Sequence, residues 1–224
     1  MKQNYIEQLE NSFESIKDSE RAIKMSQYMK NKFDFFGIAS QPRKEVYSNW
    51  KKSLPKKMSS EVKWNLIYEL WSKEEREFQY AAVDWLNSWS KAELSENDFT
   101  HLKFLISNKS WWDTVDLIAS NYLGKLGQKH PDMMLKVIEE WSDEDSFWLH
   151  RATIIFQLKY RDKVELETLS TQILRFKSNK EFFIQKAIGW SLREVAKSNP
   201  DWVIEFISKN EITGLAKREA LKHN

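Results

Sequence analysis

No cysteine occurs among the 224 residues, which excludes disulfides, thiol nucleophiles and zinc sites built on thiolates. Glycine and proline are scarce, at five and four. Long stretches therefore run without breakers, a pattern that suits helices joined by short turns better than a β-sandwich with its frequent turn signals. No window approaches a membrane-spanning apolar run and Met1 to Ser12 has no apolar signal core, so a soluble, cytoplasmic protein without a membrane partner is expected. His101, His130, His150 and His223 are scattered with no i,i+4 pair for a metal, and no serine has a histidine partner in a recognisable arrangement. Gly124 and Gly127 follow a helical run and read as its C-terminal stop, not as a phosphate loop. Hydrolases and nucleotide enzymes of the usual kinds are disfavoured. Neither a metal nor a cofactor is expected.

What is present in quantity is charge and tryptophan. Lys and Arg number 35 against 33 Asp and Glu, a net +2 that says nothing about nucleic acid until one knows whether the positive charge gathers on one face. Eleven tryptophans exceed what a core of this size demands, so several are expected on a working surface.

Taken in order, Ile6, Leu9, Phe13 and Ile16 form the apolar stripe of an amphipathic helix over residues 5–16. Asp18 or Ser19 caps a second helix that runs to about Lys32. The cluster FDFFGIASQP breaks it, and Gln41-Pro42 starts the next helix, where Arg43 and Lys44 make either a phosphate perch or a solvated turn. Lys51, Lys52, Lys56 and Lys57 surround a solvated turn at Leu54-Pro55, and Ser59 or Ser60 caps the helix after it. From Arg76 a period emerges. Tyr80, Asp116, Arg151 and Lys186 recur at intervals of 36, 35 and 35 residues, each followed by a short apolar run.

Self-similarity at that period, each unit a helix pair without strand pattern, predicts an all-α fold: an α-solenoid of HEAT-like helical repeats with a concave groove. Partner helices are expected over 99–106, 133–141, 166–176 and 202–207, with Pro131 and Pro200 at helix starts. No linker is long enough to divide the five or six helical pairs, so residues 1–224 read as one domain. Equivalent positions of successive repeats line up, so Tyr80, Asp116, Arg151 and Lys186 are expected in a row flanked by Trp112, Trp148, Phe182 and Trp190.

Asp116 is the residue that most needs explaining. In SWWDTVDLIASNYLG, Trp112, Val115, Leu117, Ile118, Tyr122 and Leu123 can all be core, whereas an acid between Val115 and Leu117 is costly unless it faces water or a partner. Trp112 and Asp116 are i,i+4 neighbours on a helix, which holds an aromatic face beside a carboxylate. Such a carboxylate, walled by indoles, stabilises positive charge, and Arg151 and Lys186 could hold a phosphate backbone.

SWWDTVD, WLHRATIIFQLKY, KEFFIQKAIGWSLRE and EREFQYAA, with YMKNKFDFFGI near the start and LAKREALKH near the end, resemble the AlkD-type DNA alkylation repair glycosylases over essentially the whole chain. The resemblance implies a HEAT-like repeat glycosylase of base excision repair that binds double-stranded DNA and removes cationic N3- and N7-alkylated purines. It places the catalytic aspartate on Asp116, its aromatic partners on Trp112 and Trp190, and the arginine beside it on Arg151. Tyr28, Phe182 and Lys186 match positions near the DNA path, and Arg43 joins them as the basic helix start. Asp113 is expected instead to satisfy helix-start N–H groups. The family is associated with recognition that need not rotate the damaged nucleotide into a deep pocket. Relatives often continue past Asn224 with a further basic segment, so a short final helix and reduced DNA affinity are expected. The chain is expected to act as a monomer. The alternative is a HEAT-repeat module that binds DNA or protein without catalysis, since the scaffold is generic.

Overall fold

The computed structural model describes residues 4–222; Met1 to Gln3, and the expected chain end at His223 and Asn224, lie outside the described residues. Among those described there is no strand, only an isolated bridge between Asp34 and Glu75. The class is all-α, built of helical repeats as the period predicts. The chain resolves into two compact units, residues 1–89 and 90–224.

The first unit contains α1 (Tyr5–Glu14), α2 (Ser19–Tyr28), α3 (Ser40–Ser53), α4 (Ser60–Ser72) and α5 (Arg76–Asn87). α1 packs on α3 and α4, and α5 packs on the same two helices. The stripe of α1 is buried at Ile6, Leu9 and Phe13, whereas Ile16 lies beyond the helix and is exposed. Asp18 caps α2 by accepting from Arg21 N at 2.9 Å. That helix ends earlier than the expected Lys32, because Lys30 and Asn31 turn left-handed at φ 60° and 54°.

Two aromatic clusters fill this unit. Phe13, Phe36 and Phe78 meet at centroid separations of 5.5 to 5.8 Å. Trp50, Trp64, Trp85 and Trp89 pack edge to face at 5.2 to 6.1 Å. Tryptophan thus corrects the expectation of an indole-rich surface: seven of the eleven are buried and none of the remaining four is fully exposed. The physical reason is that sheltering an indole from water contributes more than displaying it, and wide gaps between paired helices take rings edge-on.

The second unit contains α6 (Asp98–Ser107), α7 (Trp112–Leu117), a π-helical turn (Ile118–Leu123), α8 (Gly124–Lys129), α9 (Pro131–Asp143), α10 (Phe147–Ile155), α11 (Leu166–Phe176), α12 (Phe182–Ala196), α13 (Pro200–Lys209) and α14 (Gly214–Ala220). α10 is its hub, touching α6, α7, α9, α11, α12 and the π-helical turn, and nearly all its side chains are buried. Pro131 and Pro200 stand at helix starts as expected.

Gly124 and Gly127 overturn another expectation. Neither stops a helix; both lie inside α8 and are buried. A Cβ on Gly124 would stand 2.6 Å from the Phe156 carbonyl oxygen, and Tyr160 Oη donates to Gly124 O at 2.7 Å. Glycine is there so that the backbone at the end of α10 can approach.

Candidate functional site

The site is built in the second unit, where α7 enters through an extended Trp111 at φ −158° and ψ 160°. Ser110 Oγ donates back to Ile106 O at 2.6 Å, tying this turn to α6. Asp113 takes the role expected of it: Oδ1 accepts from Thr114 N at 2.9 Å, at the positive end of the helix. One turn later comes Asp116, on the face that Trp112 begins.

The helix then widens. Ser120 Oγ donates to Asp116 O at 2.7 Å and Asn121 Nδ2 donates to Leu117 O at 2.8 Å, so side chains satisfy carbonyls in the π-helical turn. An inserted π-turn rotates the helical segment on its N-terminal side relative to the one on its C-terminal side, and such turns recur at functional sites. Val115 and Ile118 turn inward and are fully buried, Leu117 is 43% exposed, and Asp116 is left between them at the edge of the packed layer. Sequence alone leaves the apolar residues of this segment undivided between core and surface.

Arg151 meets this edge from α10. Its Nε donates to Asp116 Oδ1 at 2.7 Å and its Nη2 donates to Oδ2 at 2.8 Å, a two-pronged pairing that fixes the plane of the carboxylate. The remaining prong, Nη1, donates to the backbone oxygen of Phe183 at the start of α12. Three helices are thereby joined at one guanidinium. Of the Asp116 side chain 15% stays accessible, against 5% for Arg151, so the acid is the more open partner. Burial raises the Asp116 carboxyl above the usual aspartate range; the Arg151 guanidinium opposes that rise and the Asp113 carboxylate adds to it.

Aromatic rings back the pair. Trp111 lies edge to face with Trp148 at 5.6 Å and with Phe183 at 5.2 Å, while Trp148 and Phe183 are 4.9 Å apart. The Arg151 guanidinium carbon is 5.8 Å from the Phe183 ring centre. Sequence reading missed Trp111 and Phe183 as supports of the pair; both sit next to residues it singled out, and no spacing rule separates a supporting ring from an exposed one. Trp148 is buried in this cluster, whereas Phe182 is 55% exposed and Trp112 and Trp190 are half-buried.

The expected row is realised in part. Asp116 and Arg151, 35 residues apart in sequence, touch. Lys186 instead pairs with Glu219 of α14, Nζ to Oε2 at 3.0 Å, an acid the sequence reading did not single out although cations flank it in LAKREALK. In the first unit Tyr28 ends α2 and is 69% exposed. Tyr80 is half-buried beside Phe35. Arg43 is neither a perch nor a solvated turn: it is 8% exposed, its Nη1 donates to Asp84 Oδ2 at 2.7 Å, and its guanidinium lies 5.3 Å from the Tyr80 ring centre. The acid on the neighbouring helix draws it inward. Lys44 is the exposed cation at that helix start.

Among the described residues no group of three or more histidines or carboxylates could hold a metal ion, and no helix is long and apolar enough to cross a membrane. The chemistry on hand is electrostatic: an oriented carboxylate, partly open, in an aromatic surround.

A sequence model of the family described as DNA alkylation repair enzyme matches residues 9–223. A solved structure described as a predicted DNA alkylation repair enzyme from Enterococcus faecalis is 33% identical, covers 92% of this chain and 96% of its own, and superposes with a TM-score of 0.83. Among curated proteins none matches. A match across nearly the whole chain, in sequence and in fold, leaves one conclusion: the chain belongs to the DNA alkylation repair enzyme family, and its role lies in alkylation repair.

Proposed function

We propose that the protein is a DNA glycosylase that hydrolyses the N-glycosidic bond of cationic N3- and N7-alkylated purines in duplex DNA, as a monomer in the cytoplasm and without a cofactor. The observation that carries this reading is the Asp116 carboxylate, oriented by both prongs of Arg151 yet still partly open. An alkylated purine with formal positive charge leaves without protonation, so the barrier lies at the sugar. As the bond lengthens the deoxyribose becomes oxocarbenium-like, and a fixed negative charge beside it lowers that barrier and orients the attacking water. Low local dielectric strengthens the effect, because a carboxylate shielded from water acts on nearby charge more strongly than an immersed one.

In this reading Asp116 faces the sugar, Trp112 and Trp190 pack against the sugar and the cationic base, and Arg151 holds the acid while its charge attracts phosphate. Tyr28, Phe182 and Lys186 contact the DNA path. Arg43, paired inside the first unit, supports that unit and is not assigned a phosphate.

The rival reading, a module that binds DNA or protein without catalysis, draws on the same pair: both Asp116 oxygens are already engaged by Arg151. Release of free base from duplex DNA carrying N7-methylguanine separates the two. The wild type is expected to release it, and Asp116→Asn to slow release by at least ~10-fold, the usual loss when a transition-state electrostatic partner is removed. Duplex binding with no release by the wild type establishes the rival.

A further inference from the structure

Glu219 is the hub of a second ionic cluster. It lies on α14 where that helix presses on α12, so closely that a Cβ on Gly189 would stand 2.4 Å from the Glu219 Cβ and 2.7 Å from the Ala216 carbonyl oxygen. Three cations meet its carboxylate. Lys186 Nζ is 3.0 Å and Arg193 Nη1 3.3 Å from Oε2, and Lys222 Nζ is 3.1 Å from Oε1. Arg193 Nη1 also donates to the Glu219 backbone oxygen at 3.1 Å. The Lys186 ammonium, with Lys222 adding to it, holds the carboxyl down to about 2 against the opposing pull of desolvation.

The exposures within the cluster are unequal. Only 10% of the Glu219 side chain is accessible, while Lys186 keeps 36%, Arg193 24% and Lys222 54%. Among the described residues, three positive groups meet one negative group, a local excess of two positive charges. Latching α14 to α12 needs a single cation; exposed pairs add little to stability and each restrains a flexible side chain. Every lysine head also retains donors beyond the one it gives to Glu219. The acid thus fans three cations outward with donors to spare.

α12 connects this patch to the first site. Phe182, Lys186, Trp190 and Arg193 recur at spacings of four, four and three residues, one face of the helix. That face begins next to Phe183, whose carbonyl holds Arg151, and Glu219 presses on the helix at Gly189, about 10 Å farther along at 1.5 Å per residue. Cations and rings alternate along it.

We propose that Glu219 is a positioning residue that sets Lys186, Arg193 and Lys222 as a preformed clamp for backbone phosphates of duplex DNA. The clamp rests on the reading of the protein as a repair enzyme acting on duplex DNA, and adds to it the patch that grips the backbone and the acid that shapes it. Lysine side chains ordered in advance lose less freedom on meeting a phosphate.

Binding of a short undamaged duplex as a function of salt tests the clamp, with base release from N7-methylguanine duplex measured in parallel. Lys186→Ala and Lys222→Ala are each expected to flatten the log affinity against log salt slope by about 1. Glu219→Gln discriminates by sign: it removes a negative charge, so an acid that merely competes with DNA predicts tighter binding. A positioning acid predicts binding weaker by about 3-fold or more in a variant still folded at the assay temperature. Tighter or unchanged binding by a folded Glu219→Gln, or a wild-type slope in either lysine variant, overturns the clamp. Should Glu219→Gln not fold, the two slopes decide, since Lys222 is exposed and Lys186 partly so. A wild type that binds duplex but releases no base removes the glycosylase reading and leaves the clamp standing; base release with unmoved slopes removes the clamp alone. A wild type that binds no duplex removes both.

Discussion

Arg151 takes both oxygens of Asp116, a residue 35 positions earlier, and gives its last prong to the backbone of Phe183, 32 positions later. One side chain thus ties α7, α10 and α12 together at a largely buried carboxylate of the second unit. Burial pushes that carboxyl toward its neutral form and the guanidinium holds it back. A partner that counters desolvation and orients the acid at once is what an electrostatic catalyst requires.

The two residues are expected to be energetically coupled. Arg151→Ala leaves an acid with little access to water and no partner, and is expected to destabilise the fold by about 3 kcal/mol. Asp116→Asn and the double variant complete a cycle, in which the losses are expected to fall short of additivity by about 1 kcal/mol or more. Chemical denaturation of the four proteins measures it; additive losses would show that the pairing contributes nothing.

On the proposed glycosylase reading the pH dependence of base release has a definite sign. Only an ionised Asp116 would stabilise a cationic sugar, and its carboxyl sits above the usual aspartate range, so the rate is expected to fall as pH drops through a midpoint higher than that of an ordinary aspartate. Asp113 contributes to the rise through its charge. Asp113→Asn, which keeps an oxygen for Thr114 N, is expected to move the acid limb to lower pH in single-turnover profiles. A midpoint that does not move would remove Asp113 from the electrostatics of the site.

Glu77 is a stability prediction in the first unit. It is fully buried, and its Oε1 accepts from Gly37 N at 3.0 Å and Ile38 N at 3.1 Å while Oε2 accepts from Phe36 N at 3.1 Å. Glu77→Gln turns an amide group toward one of these N–H donors and is expected to lower stability by about 1–3 kcal/mol. Burial nevertheless raises the Glu77 carboxyl above its ordinary value, the backbone N–H groups opposing it in part. A raised folded value favours the protonated form in the native state. The stability it contributes is therefore full below the ordinary glutamate value and is lost as pH rises through the folded one. The gap between wild type and Glu77→Gln should narrow over that rise, which thermal melts at a series of pH values measure.

Gly124→Ala tests the close approach behind the pair. With the Phe156 carbonyl oxygen 2.6 Å from the new Cβ, α8 and the end of α10 must separate, at a cost of about 1–3 kcal/mol. Because α10 carries Arg151, base release is expected to fall beyond what the lowered melting temperature accounts for. Gly127→Ala, whose Cβ would meet the Tyr160 hydroxyl at 3.0 Å and the flexible Met134 side chain at 3.1 Å, is expected to be milder. Equal losses in both would show that backbone approach at Gly124 has no special part in the site.

Much was legible in the amino-acid order itself. Scarce breakers, apolar stripes at helical spacing and a 35-residue period are local or periodic properties, and they yielded the class, most of the helices and the register that makes Asp116 and Arg151 equivalent in successive repeats. The surface was not legible. Whether Trp148 is buried and Phe182 exposed, whether Arg43 faces water or Asp84, and whether Gly124 ends a helix or lies inside one depend on what stands across from each residue.

The linear chain determined that this is a helical-repeat protein with a lone acid in a row of equivalent positions otherwise held by Tyr80, Arg151 and Lys186, because backbone geometry and hydrophobic periodicity act over neighbouring residues. Tertiary packing alone decided that the acid is gripped by Arg151 and stays partly open, that most of the indoles are core, and that Lys186 answers to Glu219. Desolvation and ion pairing are set by atoms distant in sequence and close in space, and no spacing rule along one chain can carry them.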